Sequence, residues 1–310
     1  MRPHTTLPEP IGINPYFDKI QFWVRKPLDQ RTIVWLRRQC GRGSLFVADE
    51  PAPFGGGFCQ RIELRQPSDK ALRWLARHRD ALINQVEITI DLTFKFRANV
   101  EEASDFLHQH LVRRWHRRRQ GVRTFCSTPR DDNTGAGETR YDAGPQASNL
   151  LVIYAEDHTR ITGELNCLHI EWRLNGLKAV RAAGIGSGQD LPEFDHRAFW
   201  QKRLRLYVVN RRRLGRLLRN HVTGKRRRTP EIYQSGTYRV DIEGRTGEVY
   251  VRAYDTVQEL IDELKSLCLI HRALTRISND SLLPEQGRST AVPGRRPYII
   301  CNIPRQFDNS

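Results

Sequence analysis

Two alternating stretches carry the residue types that could do chemistry. Residues 167 to 174 read Cys167, Leu168, His169, Ile170, Glu171, Trp172, Arg173, Leu174, and residues 86 to 94 read Val86, Glu87, Ile88, Thr89, Ile90, Asp91, Leu92, Thr93, Phe94. A period of two marks a half-buried strand, whose successive side chains point to opposite faces. One face of the first run then carries Cys167, His169, Glu171 and Arg173, and one face of the second carries Glu87, Thr89 and Asp91. If the strands are neighbours, Glu87, Asp91, His169 and Glu171 become candidate ligands of a divalent cation, Mg²⁺ or Mn²⁺, with Asp91 and Glu171 as the central carboxylates. A cation there could offset the charge that develops on phosphoryl oxygens during attack on a phosphodiester. A nearby tyrosine could be the attacking group, forming a covalent phosphotyrosine and releasing a 3′ hydroxyl. The plain alternative is an antiparallel sheet with one face turned to water, where alternating polar residues need no chemistry.

Charge narrows the partner. Lys and Arg total 51 against 35 Asp and Glu, a formal charge of +16 with pI near 10.1, which points to a polyanion and first of all to nucleic acid. Two basic series could meet phosphates: Arg113, Arg114, Arg117, Arg118 and Arg119 around Trp115, and Lys225, Arg226, Arg227 and Arg228 ahead of a Thr-Pro turn. No segment approaches the apolar length of a spanning helix and the N-terminus has no signal-peptide core, so no membrane partner and a cytoplasmic location are expected. The six cysteines include no C-x-x-C pair, which argues against a zinc finger or a disulfide framework.

The elements that must position these residues follow from pattern and punctuation. Residues 1 to 16, with four prolines, read as an irregular arm, 18 to 24 as a strand, and 29 to 39 as a short helix. A hairpin spans 44 to 64 around a Pro- and Gly-rich connection, and Ser68 caps a helix reaching about 79. A helix capped by Asn99 is expected to run on into the arginine series at 113 to 119, placing His108 and His110 on a helix rather than in a metal site. Residues 149 to 156 form a strand, 176 to 183 a short helix, and 195 to 220 a long one capped by Asp195. The expected architecture is α+β, an antiparallel sheet with helices packed on one face. Residues 1–220 form the nicking and DNA-binding domain, and 221–310 a basic turn, a small hairpin-helix region and an irregular tail.

Four pieces resemble the replication-initiation-factor family, the rolling-circle plasmid and phage initiators and related relaxases. Ile90, Asp91 and Leu92 resemble its Asp-Leu strand; Tyr141 with Gly144 to Ser148 resembles its Tyr, Gly-x-x-x-Ser element; Ile153 and Tyr154 resemble the aromatic strand after it; Ile170 to Asn175 is similar to its Glu-x-Arg-Leu strand. The resemblance covers residues 84 to 175 in patches. It implies nicking of one strand of a replication origin with Mg²⁺ or Mn²⁺, and a homodimer. The helix after Glu171 has no tyrosine where the family's nucleophile is expected, so Tyr207, flanked by Lys202, Arg203 and Arg205, stands in as the nucleophile, with Tyr154 the alternative. Two other classes stay open: a non-enzymatic DNA-binding accessory factor using only the arginine series, and an RNA-binding protein.

Overall fold

The protein was obtained as a computed structural model that describes residues 7–112, 140, 141, 147–210, 213, 236–242, 245–251 and 274–284. Seven strands form the main sheet: β1 (Gly12–Val24), β2 (Leu45–Asp49), β3 (Gln60–Arg65), β4 (Leu82–Thr93), β5 (Arg140–Tyr141), β6 (Asn149–His158) and β7 (Leu165–Asn175). They lie in the order β2-β3-β1-β4-β7-β6-β5, and every neighbouring pair is antiparallel.

One face of this sheet is apolar. Ile62, Leu64, Phe17, Ile20, Phe22, Val86, Ile88, Ile90, Leu92, Leu168, Ile170, Trp172, Leu174, Leu151 and Ile153 meet there in one buried cluster. The cluster is closed by α1 (Gln30–Arg38) through Leu36, α2 (Asp69–Arg77) through Leu72 and Leu75, α3 (Arg97–His110) through Val100, Phe106 and Leu107, α4 (Leu177–Ala182) through Val180, and α5 (His196–Arg203) through Phe199 and Trp200. The α+β architecture with helices on one face is therefore the observed one, and the other face is left to the polar side chains.

Local signals account for the helix starts. Asp29 Oδ1 accepts from the Thr32 amide at 2.9 Å, and Ser68 Oγ from the Ala71 amide at 3.4 Å, side-chain caps that each stabilise a helix by about 1 kcal/mol. Between β7 and α4 the chain turns at Gly176, with φ of 89°, a left-handed conformation that a side chain would strain.

Four expectations change. The arm is shorter, because β1 begins at Gly12 and pairs with β4 through Asn14↔Asp91 and Pro15↔Ile90. Pro15 is tolerated because β3 pairs with β1 only from Lys19 onward, so no outer ladder bond is lost at the proline. The helix after residue 96 has no side-chain cap and ends at His110, after which Val112 N bonds Arg205 O at 2.8 Å.

Most consequential, the long helix expected over 195 to 220 stops at Arg203. Leu206 to Val209 form β8, which pairs with β11 (Leu274–Ile277). The Leu-Tyr-Val-Val run suits a strand, and Leu206 is fully buried, but its partner is 65 or more residues away and invisible to local pattern. Residues 274–284, read as part of an irregular tail, thus join the core through Leu282 and Leu283. A separate hairpin of β9 (Gly236–Ile242) and β10 (Arg245–Val251) matches the expected one. The arginine series at 113–119, the cluster at 225–228, the helix of the expected hairpin-helix region and the boundary at 220 lie outside the described residues.

Candidate active site

The polar face is organised by register. Across β4 and β7, Asp91 faces His169, Thr89 faces Glu171 and Glu87 faces Arg173; across β6 and β7, Tyr154 faces His169 and Val152 faces Glu171. Side chains directly opposite one another on a sheet are close enough to bond. His169 Nδ1 lies 2.7 Å from Asp91 Oδ1, both at 0% exposure. On its far side Nε2 stands 3.5 Å from Glu171 Oε2 without the geometry of a hydrogen bond, so it is a buried ring nitrogen with no hydrogen-bond partner.

β1 contributes through a bulge. Its register with β4 slips between Phe17 and Lys19, which sends both Asp18 and Lys19 to the polar face while Phe17 and Ile20 stay in the core. Lys19 pairs with Glu87, and Tyr16 OH donates to Asp91 at 3.3 Å. Asp18 Oδ2 accepts from Arg160 Nη1 at 3.1 Å. The same guanidinium donates to Tyr154 OH at 2.7 Å and to Glu156 Oε1 at 2.8 Å, so one arginine gathers β1 and β6 over the site. Arg173 closes the other side, chelating Glu171 with Nε and Nη2. Arg160 and Arg173 are each 33% exposed, which makes the rim of this buried cluster cationic.

Burial and charge set the protonation states. Burial alone would keep the His169 ring neutral, but Asp91 and then Glu171 raise it to about 10, so without a cation it is an imidazolium near neutral pH, and a cation bound at Nε2 would have to displace that proton. Burial would likewise raise Glu171, yet the facing His169 cation and the hydrogen-bonded Arg173 bring it down to about 2. Glu87 goes the other way: burial, then the Glu171 charge, lift it to about 7 despite Lys19. Burial pushes the Tyr154 hydroxyl well above the phenolic range, with Arg160 the largest opposing influence. Burial and then Asp91 likewise hold the proton on Tyr16. The Cys167 thiol is pushed up as well and stays protonated.

These residues offer a fit for a cation. Asp18, His169 and Glu171 present ligand atoms that all lie within 4.8 Å of one another, a spread that one ion bonded at roughly 2.0–2.6 Å to each can bridge. Nδ1 of His169 is taken by Asp91, which leaves the partnerless Nε2 as the ligating atom and gives Asp91 the part of the carboxylate that orients a metal-bound histidine. One imidazole nitrogen with two carboxylate oxygens suits Mn²⁺ better than Mg²⁺, which prefers an all-oxygen shell.

No family model and no curated protein matches the sequence. Among solved structures the chain is similar to a rolling circle replication initiator protein from Geobacillus stearothermophilus, at 14% identity and a TM-score of 0.36, over 70% of this chain and 89% of that one. At those values the likeness assigns no activity, and the chemistry has to come from the side chains. No described helix is long and apolar enough to cross a membrane.

Of the residues singled out in the sequence, Glu87, Asp91, His169, Glu171 and Tyr154 come together on one face of the sheet. Glu87 is drawn aside by Lys19 and is absent from the three-residue ligand group. Tyr207 is on β8, in a different sheet, with its carbonyl 3.1 Å from His110 Nδ1. Asp18, Tyr16 and Arg160 were missed. A signal for the first two is present: apolar residues fall at 17 and then at 20, 22 and 24, a phase slip in an alternating strand that marks a bulge. Arg160 sits in a turn between strands and has no such signal.

Proposed function

We propose that this protein is a replication initiator that nicks one strand of DNA through a tyrosine, assisted by a divalent cation held by Asp18, His169 and Glu171. The observation that carries the reading is the Asp91–His169 pair, buried and aimed at two further carboxylates, with the Tyr154 ring centred 4.5 Å from the histidine ring. A basic chain of +16 needs a polyanionic partner, and the exposed flanks of Arg160 and Arg173 suit a phosphate entering over the cluster.

Tyr154 replaces Tyr207 as the preferred nucleophile because it shares a face with His169 and Tyr207 does not. Its oxygen would bond to phosphorus while the bond to the 3′ oxygen breaks, the phenol giving up its proton and the 3′ oxygen gaining one. Arg160, already bonded to that oxygen, stabilises the phenolate. Asp91 keeps the His169 ring oriented and Arg173 keeps Glu171 ionised. The cation, Mn²⁺ or Mg²⁺, would supply Lewis-acid polarisation of the phosphoryl oxygens.

The test is cleavage of supercoiled origin-bearing DNA with Mn²⁺ or Mg²⁺ and its loss in Glu171→Gln. Cleavage that survives both this variant and chelation ends the reading. A second reading has its own observation: Asp91, His169 and Glu171 are 0%, 0% and 1% exposed, as expected of an ion network that ties strands together. On that reading the chain is a non-enzymatic DNA-binding accessory factor, and no metal condition yields a nick.

A further inference from the structure

On the opposite face of the sheet, between α4 and α5, lies a cleft of about 970 Å³. Trp172, between Glu171 and Arg173 in β7, turns away from the candidate active site and floors this cleft together with Phe194 and Phe199. Four cations line it: Arg181 at the end of α4, Lys202 and Arg203 at the end of α5, and Arg205 two residues beyond it. The acids beside them are largely committed. Asp190 accepts from the amides of Gly186 and Ser187 at 2.9 and 2.8 Å, and Asp195 caps α5 through the Ala198 amide at 2.8 Å. Glu193, which is also engaged, is the third acid among the described lining residues.

Arg203 is the distinctive group. Its guanidinium carbon sits 3.6 Å from the centre of the Phe199 ring and 5.2 Å from that of Trp172, stacked on both. It is stripped of much of its water, yet among the described residues no carboxylate pairs with it; burial accordingly pulls its pKa down to about 10. A cation held on an aromatic floor is fixed in position and keeps its outer edge available to a pair of phosphate oxygens. The plain use of these side chains is to cap α5, and each arginine does spend one N–H that way: Arg203 Nη1 on Phe199 O at 3.2 Å, Arg205 Nε on Lys202 O at 2.8 Å. A guanidinium carries five donors, so capping leaves most of them unspent.

We propose that this cleft is a second nucleic-acid site that takes the phosphates of a single strand, with Arg203 as its anchor and Lys202, Arg205 and Arg181 along its path. The occupant is a strand because the cations are spread between two helices rather than converging on one point, and because the chain's charge of +16 calls for a polymer of phosphates. The site goes beyond the nicking activity and stands without it.

The experiment is fluorescence anisotropy of a labelled (dT)12 strand over a salt series with wild type, Arg203→Gln and the double variant Lys202→Gln/Arg205→Gln. The double variant changes only exposed side chains and should keep the wild-type Tm. It is expected to weaken binding about tenfold and to lower the salt slope by about 1.4, at about 0.7 per phosphate contact on a single strand. Arg203→Gln should weaken binding further. An unchanged affinity and slope in the folded double variant would return these cations to solvent and overturn the site. Binding of dTMP as tight as that of (dT)12 would overturn the strand as occupant. Loss of strand binding in the variants, in a protein that cuts nothing under any metal condition, supports the cleft while the nicking reading falls.

Discussion

His169 Nδ1 and Asp91 Oδ1 are 2.7 Å apart across the central strand pair, both completely buried. The pair fixes the ring so that its other nitrogen looks toward Glu171, and it makes Asp91 a positioning residue where the sequence suggested a direct ligand. Asp91→Asn keeps the shape and removes the charge, stranding a buried imidazolium. Such a break costs roughly 3–5 kcal/mol. Urea denaturation is expected to show a loss of that size together with abolished cleavage. A loss below about 1 kcal/mol would mean that the pair is not ionised in the folded protein.

The ligand group makes a sharper prediction about metal. Asp18 and Glu171 belong to it, whereas Glu87 is held by Lys19. Mn²⁺ titration followed by electron paramagnetic resonance should give an affinity at least about tenfold weaker in Asp18→Asn and Glu171→Gln, the scale on which even outer partners of a site act. Glu87→Gln should bind as wild type does. The reverse pattern would restore the set read from the sequence and remove Asp18.

That comparison marks what a sequence can disclose here. Alternation placed Glu87, Asp91, His169 and Glu171 on single faces, because a strand's period of two is a local property. The antiparallel pairing of β4 with β7 turned two faces into one surface. The bulge that delivers Asp18 was legible only as a phase slip, and Arg160 not at all, since the position of a turn residue depends on which strands the turn connects. Tyr207 failed for the same reason: the six residues 204 to 209, apolar but for Arg205, can extend the helix or leave it, and β11, far along the chain, decided the matter.

A pH dependence should arise away from the site. His196, at the start of α5, is packed between Phe17 and Phe194 with ring centres 5.0 Å away in each case, and neither of its nitrogens has a hydrogen-bond partner. Burial lowers it to about 3 against an ordinary value near 6.5. As pH falls below about 6.5 the unfolded chain gains a proton that the folded one refuses, so this group costs stability by up to about 1.4 kcal/mol per pH unit until about pH 3. Glu87, raised to about 7, has the opposite sign over pH 7 to 4.5, taking up its proton first in the folded state. The contribution is therefore read as a difference: the stability of His196→Phe relative to wild type should rise steadily from pH 6.5 to pH 4. A flat difference would mean that the histidine is protonated or solvated when folded.

The nucleophile is the last prediction and the most direct. Three tyrosines compete. Tyr16 points its hydroxyl into the cluster at Asp91, whose negative charge joins burial in opposing a phenolate, and only 4% of the residue is exposed. Tyr207 lies on β8 with cationic neighbours but on a sheet that carries none of the metal-ligand group. Tyr154 is beside His169, takes a 2.7 Å hydrogen bond from Arg160, and is the least buried of the two at the site. Incubation with a labelled single-stranded origin oligonucleotide and Mn²⁺, followed by denaturing gels and mass spectrometry of the linked peptide, should give an adduct on Tyr154. Tyr154→Phe should lose it, while Tyr16→Phe and Tyr207→Phe keep it. Arg160→Gln should slow its formation by about the same factor across the practical pH range, because the guanidinium lowers the cost of a phenolate whose pKa lies well above that range. An adduct that persists in Tyr154→Phe and maps to Tyr207 would move the reaction to the β8 sheet and leave the Asp91–His169 pair with a structural role.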